Sequence, residues 1–114
     1  MKGVRELNLE YGMPSVDEAL RRLEAEIAAC RHLKIPVMKL IHGYGSSGNG
    51  GKIRTAVRRY LAEQQMTGRI CAVVAGENFS IFSETTRQAF TKCSNLRQDR
   101  DLDNENRGIT FVVL

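Results

Sequence analysis

The run Val37-Met38-Lys39-Leu40-Ile41 constrains this chain more than any other segment. It is short, almost continuously apolar and interrupted by one lysine, the pattern of a strand buried by helices on a parallel sheet. What precedes it supports that reading. Ser15 is followed three residues later by Glu18, a capping box in which each side chain can satisfy the other's orphan backbone donor. Val16, Leu20, Leu23, Ile27 and Cys30 then recur at spacings of three and four. This predicts a helix over residues 16–33 with one buried stripe, ending before Pro36.

The rest of the chain continues the alternation. Residues 4–9 alternate and carry β-compatible side chains, a short first strand broken by Tyr11-Gly12-Met13-Pro14. Residues 43–51 form a glycine-rich loop, after which Ile53, Ala56, Val57, Tyr60 and Leu61 share one face of a second helix over roughly residues 52–64. Strands follow at residues 69–75 and 109–114. Between them, residues 84–93 suit a short extra helix capped by Ser83, and residues 94–107 are polar and expected to be mobile. The order predicts an α/β layer with a four-stranded, partly parallel sheet and two main helices.

A length of 114 residues, with 42% hydrophobic and 26% charged, suits one globular domain over residues 1–114. The longest apolar runs, residues 70–75 and 111–114, are too short to cross a bilayer, and residues 1–10 hold no signal-peptide core. A cytoplasmic protein without a membrane partner is expected. Cys30, Cys71 and Cys93 are far apart and odd in number, which suits no complete disulfide framework. Cys30 and Cys71 fall on apolar faces and are expected in the core. The formal charge of +4 favours anionic partners, nucleic acid first. Lys52, Arg54, Arg58 and Arg59 crowd the second helix, whereas residues 99–105 are acidic and read as a solvated loop.

The segment richest in chemistry is Leu40-Ile41-His42-Gly43-Tyr44-Gly45, at the carboxyl end of the second strand, where open α/β sheets bind ligands. Gly43 and Gly45 permit a sharp turn, and the second helix starts near Gly50 or Gly51 with its free backbone donors facing the loop. Lys52 and Arg54 sit in its first turn. Singly, each feature has a plainer explanation: a strand-end histidine more often bonds its own loop than reacts, and a basic helix face is often just solvated. Their convergence favours a phosphate-binding corner.

Two other motifs fail. Gly51-Lys52 resembles the centre of a P-loop, but Ser46 replaces its first glycine and Ile53 its magnesium-holding hydroxyl, which argues against a nucleotide cofactor. Asp99, Asp101 and Asp103 resemble the start of a calcium loop, yet Asn104 replaces the turn glycine and Thr110 the closing glutamate. No His/Cys cluster suggests a resident metal.

In three places the chain resembles the Smr (small MutS-related) domain family. Leu7-Asn8-Leu9-Glu10 occupies the place of the family's Leu-Asp-x-His opening, before a helix beginning Val16-Asp17-Glu18-Ala19-Leu20. His42-Gly43-Tyr44-Gly45 fits the His-Gly-x-Gly motif, and Gly108-Ile109-Thr110-Phe111-Val112 resembles the closing Gly-x-Thr-x-Val strand. The resemblance implies a two-layer βαβαββ sandwich whose motif loops meet on one sheet edge. It also implies DNA or RNA binding and, in several members, metal-assisted nicking. Asn8 and Glu10 depart from the pattern, since asparagine is no general base and a poorer ligand for a hard cation than a carboxylate.

Three functions follow in order. The first is nucleic-acid binding with nuclease activity weak or lost: His42 contacts a phosphate, the amides of Gly43 and Gly45 cradle it, and Lys52, Arg54 and Arg58 supply charge. The second is a protein-interaction or ribosome-associated module without chemistry. The third is an active nicking endonuclease in which Glu10 and His42 act together; magnesium or manganese is needed only there.

Overall fold

The computed structural model describes residues 2–45 and 50–114; residues 46–49 of the glycine-rich loop, including the Ser46 position weighed against a P-loop, lie outside the described residues. Along the chain run β1 (Val4–Asn8), α1 (Val16–His32), β2 (Val37–Ile41), α2 (Gly50–Met66), β3 (Ala72–Ala75), α3 (Glu84–Lys92) and β4 (Ile109–Val113), with 3-10 turns at Gly76–Asn78 and Ser94–Gln98. Ser15 caps α1 as its sequence predicts, its Oγ accepting from the Glu18 amide at 3.2 Å. Glu18 returns the contact to the Ser15 hydroxyl, at 3.2 Å, rather than to its backbone. Ser83 caps α3 in the same way, accepting from the Thr86 amide.

The strands lie in the order β1-β2-β4-β3. β1 and β2 are parallel, and β4 is antiparallel to both β2 and β3. In this register Asn8 sits opposite Ile41, Ile41 opposite Ile109 and Ala75 opposite Thr110. The carboxyl ends of β1, β2 and β3 therefore share one sheet edge with the start of β4. The loops after β1 and β2 are the two motif loops, so the fold itself brings them together.

Alternation along the strands divides the core. Met38, Leu40 and Val112 face α1 and α2, packing with Leu23, Ile27, Val57 and Leu61. This is the expected two-layer sandwich. Val37, Phe111 and Val113 face the other way, where Phe79, Phe90 and Leu96 from the last connection cover the sheet. With both faces covered, β2 and β4 carry apolar residues at nearly every position.

That second cover corrects the expectation of a mobile connection and a solvated acidic loop. Lys39 is the one polar residue of β2, and only 5% of it is exposed. A buried ammonium needs partners. It donates to Asp99 at 3.0 and 3.1 Å and to Asp101 at 2.7 Å, and its Nζ stands 5.7 Å from the Phe111 ring centroid. Burial opposes its charge, but the bonds to Asp101 and Asp99 outweigh that and raise its pKa. Asp99 and Asp101 are accordingly buried, while Asp103 and Glu105 stay exposed. Residues 94–107 are thus fastened to the central strand by ion pairs and by fully buried Leu96.

Two smaller corrections concern the region before β3. The strand begins at Ala72 rather than residue 69, and Cys71 is exposed rather than in the core. It precedes the regular strand, so the alternation inferred there does not reach it. Cys30 is buried as expected, and Cys93 is buried too.

Candidate functional site

Under α2, the carboxyl edge is occupied by a closed network. His42 is fully buried. Its Nδ1 lies 2.7 Å from the Gly43 carbonyl and its Nε2 2.8 Å from the Thr110 hydroxyl. A carbonyl only accepts, so the ring proton sits on Nδ1, and bare Nε2 accepts the Thr110 hydrogen. Thr110 Oγ1 in turn accepts from Arg58 Nε at 3.1 Å. Burial, aided by the Arg58 and Arg54 cations, lowers the His42 pKa from 6.5 to about 4 against the pull of the Gly43 carbonyl. The imidazole is neutral at pH 7, with both nitrogens engaged.

Arg58 also makes a two-pronged contact with Glu77, at 2.8 and 2.7 Å, and donates to the Ile109 carbonyl at 3.1 Å. Arg54 bonds Glu77 at 2.8 Å and the Arg107 carbonyl at 3.1 Å. The bonds from Arg58 hold the Glu77 carboxyl at about 2. Glu77 reaches this position through Gly76, whose α-carbon lies against the backbone of Asn106 and Ile109 and leaves no room for a side chain. Two helix arginines are thus balanced by one glutamate.

On the other side of the motif loop the edge is open. Asn8 Oδ1 accepts from the Glu10 amide at 2.9 Å and bends the chain after β1. The Glu10 carboxylate then lies against the α-carbon of Gly43, where any side chain would overlap it. Gly43 also has φ +71°, a left-handed conformation that favours glycine. Its amide and that of His42 donate to the Gly108 carbonyl, at 3.0 and 2.9 Å. Around this junction is a cleft of about 360 Å³ lined by Glu10, Ile41, Tyr44, Asn106 and Ile109 among others. Tyr44, 63% exposed, also lines a neighbouring cleft with Arg107.

The candidates from sequence divide accordingly. Glu10, Gly43 and Gly45 line the open cleft. His42, Arg54 and Arg58 belong to the closed network, where both His42 ring nitrogens are already engaged. The Gly43 amide is already bonded to Gly108, which leaves Gly43 a conformational role. Lys52 is exposed and makes no ion pair among the described residues. No group of three His, Cys, Asp or Glu side chains that could hold a metal occurs among the described residues. Sequence reasoning missed Glu77, Tyr44 and Arg107. An acidic residue within the Gly-Glu-Asn turn after a strand was the available signal for Glu77.

Comparison with known proteins places this geometry. The family model of the Smr domain matches residues 11–78, more than half of the chain, from the turn before α1 to the turn that holds Glu77. No curated protein sequence matches. The crystal structure of the Smr domain of Thermus thermophilus MutS2 is similar with a TM-score of 0.59 at 20% identity, covering 96% of each chain. At that identity the likeness speaks for the fold. With the family match covering well over half of the chain, including the His42–Gly45 loop, the chain belongs to the Smr domain family.

Proposed function

We propose that this domain binds nucleic acid at the carboxyl edge of its sheet and cleaves it weakly or not at all. Family membership supports the binding. The observation that carries the second half is the isolation of Glu10: it is the one carboxylate lining the cleft among the described residues. Metal-assisted cleavage needs negative ligands for the cation and a group that activates water. Asn8 is neutral and its oxygen is engaged by the Glu10 amide. The His42 nitrogens are engaged by Gly43 and Thr110. These residues do not fit a hydrolytic divalent-metal centre.

In this reading His42 acts indirectly, holding the loop through its bond to Gly43. Gly43 and Gly45 shape the cleft wall. Lys52 and Arg107 supply accessible positive charge, while Arg54 fixes the Arg107 backbone and Arg58 fixes Thr110. Nicking of supercoiled plasmid in magnesium or manganese tests the proposal. The unmodified protein should nick slowly or not at all, and Asn8→Asp combined with Glu10→His should raise the rate. Robust metal-dependent nicking by the unmodified protein, abolished by Glu10→Ala, contradicts it.

A further inference from the structure

The open cleft is poorly suited to a phosphate and well suited to a base. Glu10 makes no ion pair among the described residues, and its carboxylate repels an anion while accepting from N–H donors. Ile41 and Ile109 supply apolar lining. Tyr44 stands at the rim, where its Cδ1 is 3.5 Å from the position a Gly108 side-chain carbon would take. The ring therefore packs against Gly108 while remaining 63% exposed. An exposed aromatic beside a carboxylate can stack on a base and hydrogen-bond its edge.

Resting on the nucleic-acid reading above, we propose that the cleft between Glu10 and Tyr44 is a pocket for an unpaired guanine in a single strand. Guanine carries two adjacent N–H donors, at N1 and N2, on its Watson–Crick edge, matching the two oxygens of a carboxylate. Adenine and cytosine each present one amine beside an acceptor nitrogen. Uracil places its single N–H between two carbonyl oxygens, which a carboxylate repels. The edge is available only in an unpaired base, so duplex is disfavoured. The neighbouring cleft, which shares Tyr44, contains exposed Arg107 with its backbone fixed by Arg54. Among the described residues Arg107 is the one cation lining that cleft, beside Asp101 and Glu105, and in this proposal it neutralises the flanking phosphate.

Fluorescence anisotropy with labelled RNA decamers tests this: all-uridine, the same strand with one central guanine or one central adenine, and a hairpin that pairs the guanine. The guanine strand should bind at least about fivefold more tightly than the all-uridine strand, the low end for a two-pronged contact to a base. The preference should vanish in the hairpin and in Glu10→Gln. Tyr44→Leu should weaken binding of the guanine strand roughly 5- to 100-fold, the range for loss of one aromatic stack, with most of that recovered in Tyr44→Phe. Circular dichroism checks that the variants are folded. Equal binding of all strands, or a guanine preference that survives Glu10→Gln, overturns the base pocket and leaves nucleic-acid binding standing. Failure to bind any strand or duplex overturns both.

Discussion

Beneath the first turns of α2, His42, Thr110, Arg58, Arg54 and Glu77 satisfy one another, with His42 and Thr110 fully buried. Across the His42–Gly43 peptide, Glu10 and Tyr44 face solvent, and neither makes an ion pair among the described residues. Each side holds one glutamate, yet Glu77 is closed in by two arginines and Glu10 stays available. Charge in the sequence therefore overstates charge at the surface. Two of the four basic residues that crowd α2 are matched to Glu77. Lys39 and its aspartates repeat the lesson within the sheet.

If the closed regions are structural, their disruption should reduce stability most. Lys39→Ala leaves Asp99 and Asp101 buried without their cation and should cost about 3–5 kcal/mol, measured as a fall in urea midpoint with little change in slope. A loss below about 1 kcal/mol would mean that water reaches the aspartates.

Acid should open the α2 side next. The His42 pKa is depressed in the folded state, so between pH 6.5 and about 4 the unfolded chain binds the extra proton. The stability from neutral His42 is complete above pH 6.5 and lost as pH falls through about 4, amounting to about 3 kcal/mol. Glu77, also depressed, adds its loss lower, between pH 4.5 and about 2. Urea melts at pH 7 and pH 4, with the His42 ring protons followed by NMR, check this. A His42 midpoint near 6.5 would contradict the closed network.

Glu77→Ala should cost somewhat less, about 2 kcal/mol, because the arginine and glutamate side chains are 20–28% exposed and water softens the loss of the pair. Glu10→Ala is the counterpart on the open side and should change stability by no more than about 0.5 kcal/mol. A stability loss at Glu10 equal to that at Glu77 would erase the distinction between the two sides.

The sequence made the local parts of this arrangement readable. The Ser15–Glu18 cap, the stripe from Val16 to Cys30, the apolar run of β2 and the His42–Gly45 loop each follow from neighbours within a few residues. Ion pairs did not show in that way. Lys39 meets Asp99 and Asp101 across 60 and 62 positions, and Arg58 meets Glu77 across 19. Such contacts leave no periodicity. An aspartate that clasps a buried lysine looks, in a run such as residues 99–105, the same as one in water. Lys39 inside an apolar strand was the clue that a carboxylate had to come from elsewhere. His42 likewise read as a phosphate contact, or more plainly as a histidine bonding its own loop, and nothing local revealed that Thr110 would engage its other nitrogen.

The central claim is that the open edge binds nucleic acid, and the most direct measurement is the salt dependence of that binding. Affinity for a single-stranded RNA should fall linearly on a log–log plot against salt, with a slope of about −0.7 for each phosphate neutralised. Removing the exposed charge of Lys52 with Lys52→Ala should reduce that slope by about one contact, roughly 0.7 units. A steep slope, lowered in the variant, is the predicted result. Affinity that is absent, or indifferent to salt in both proteins, would contradict the account.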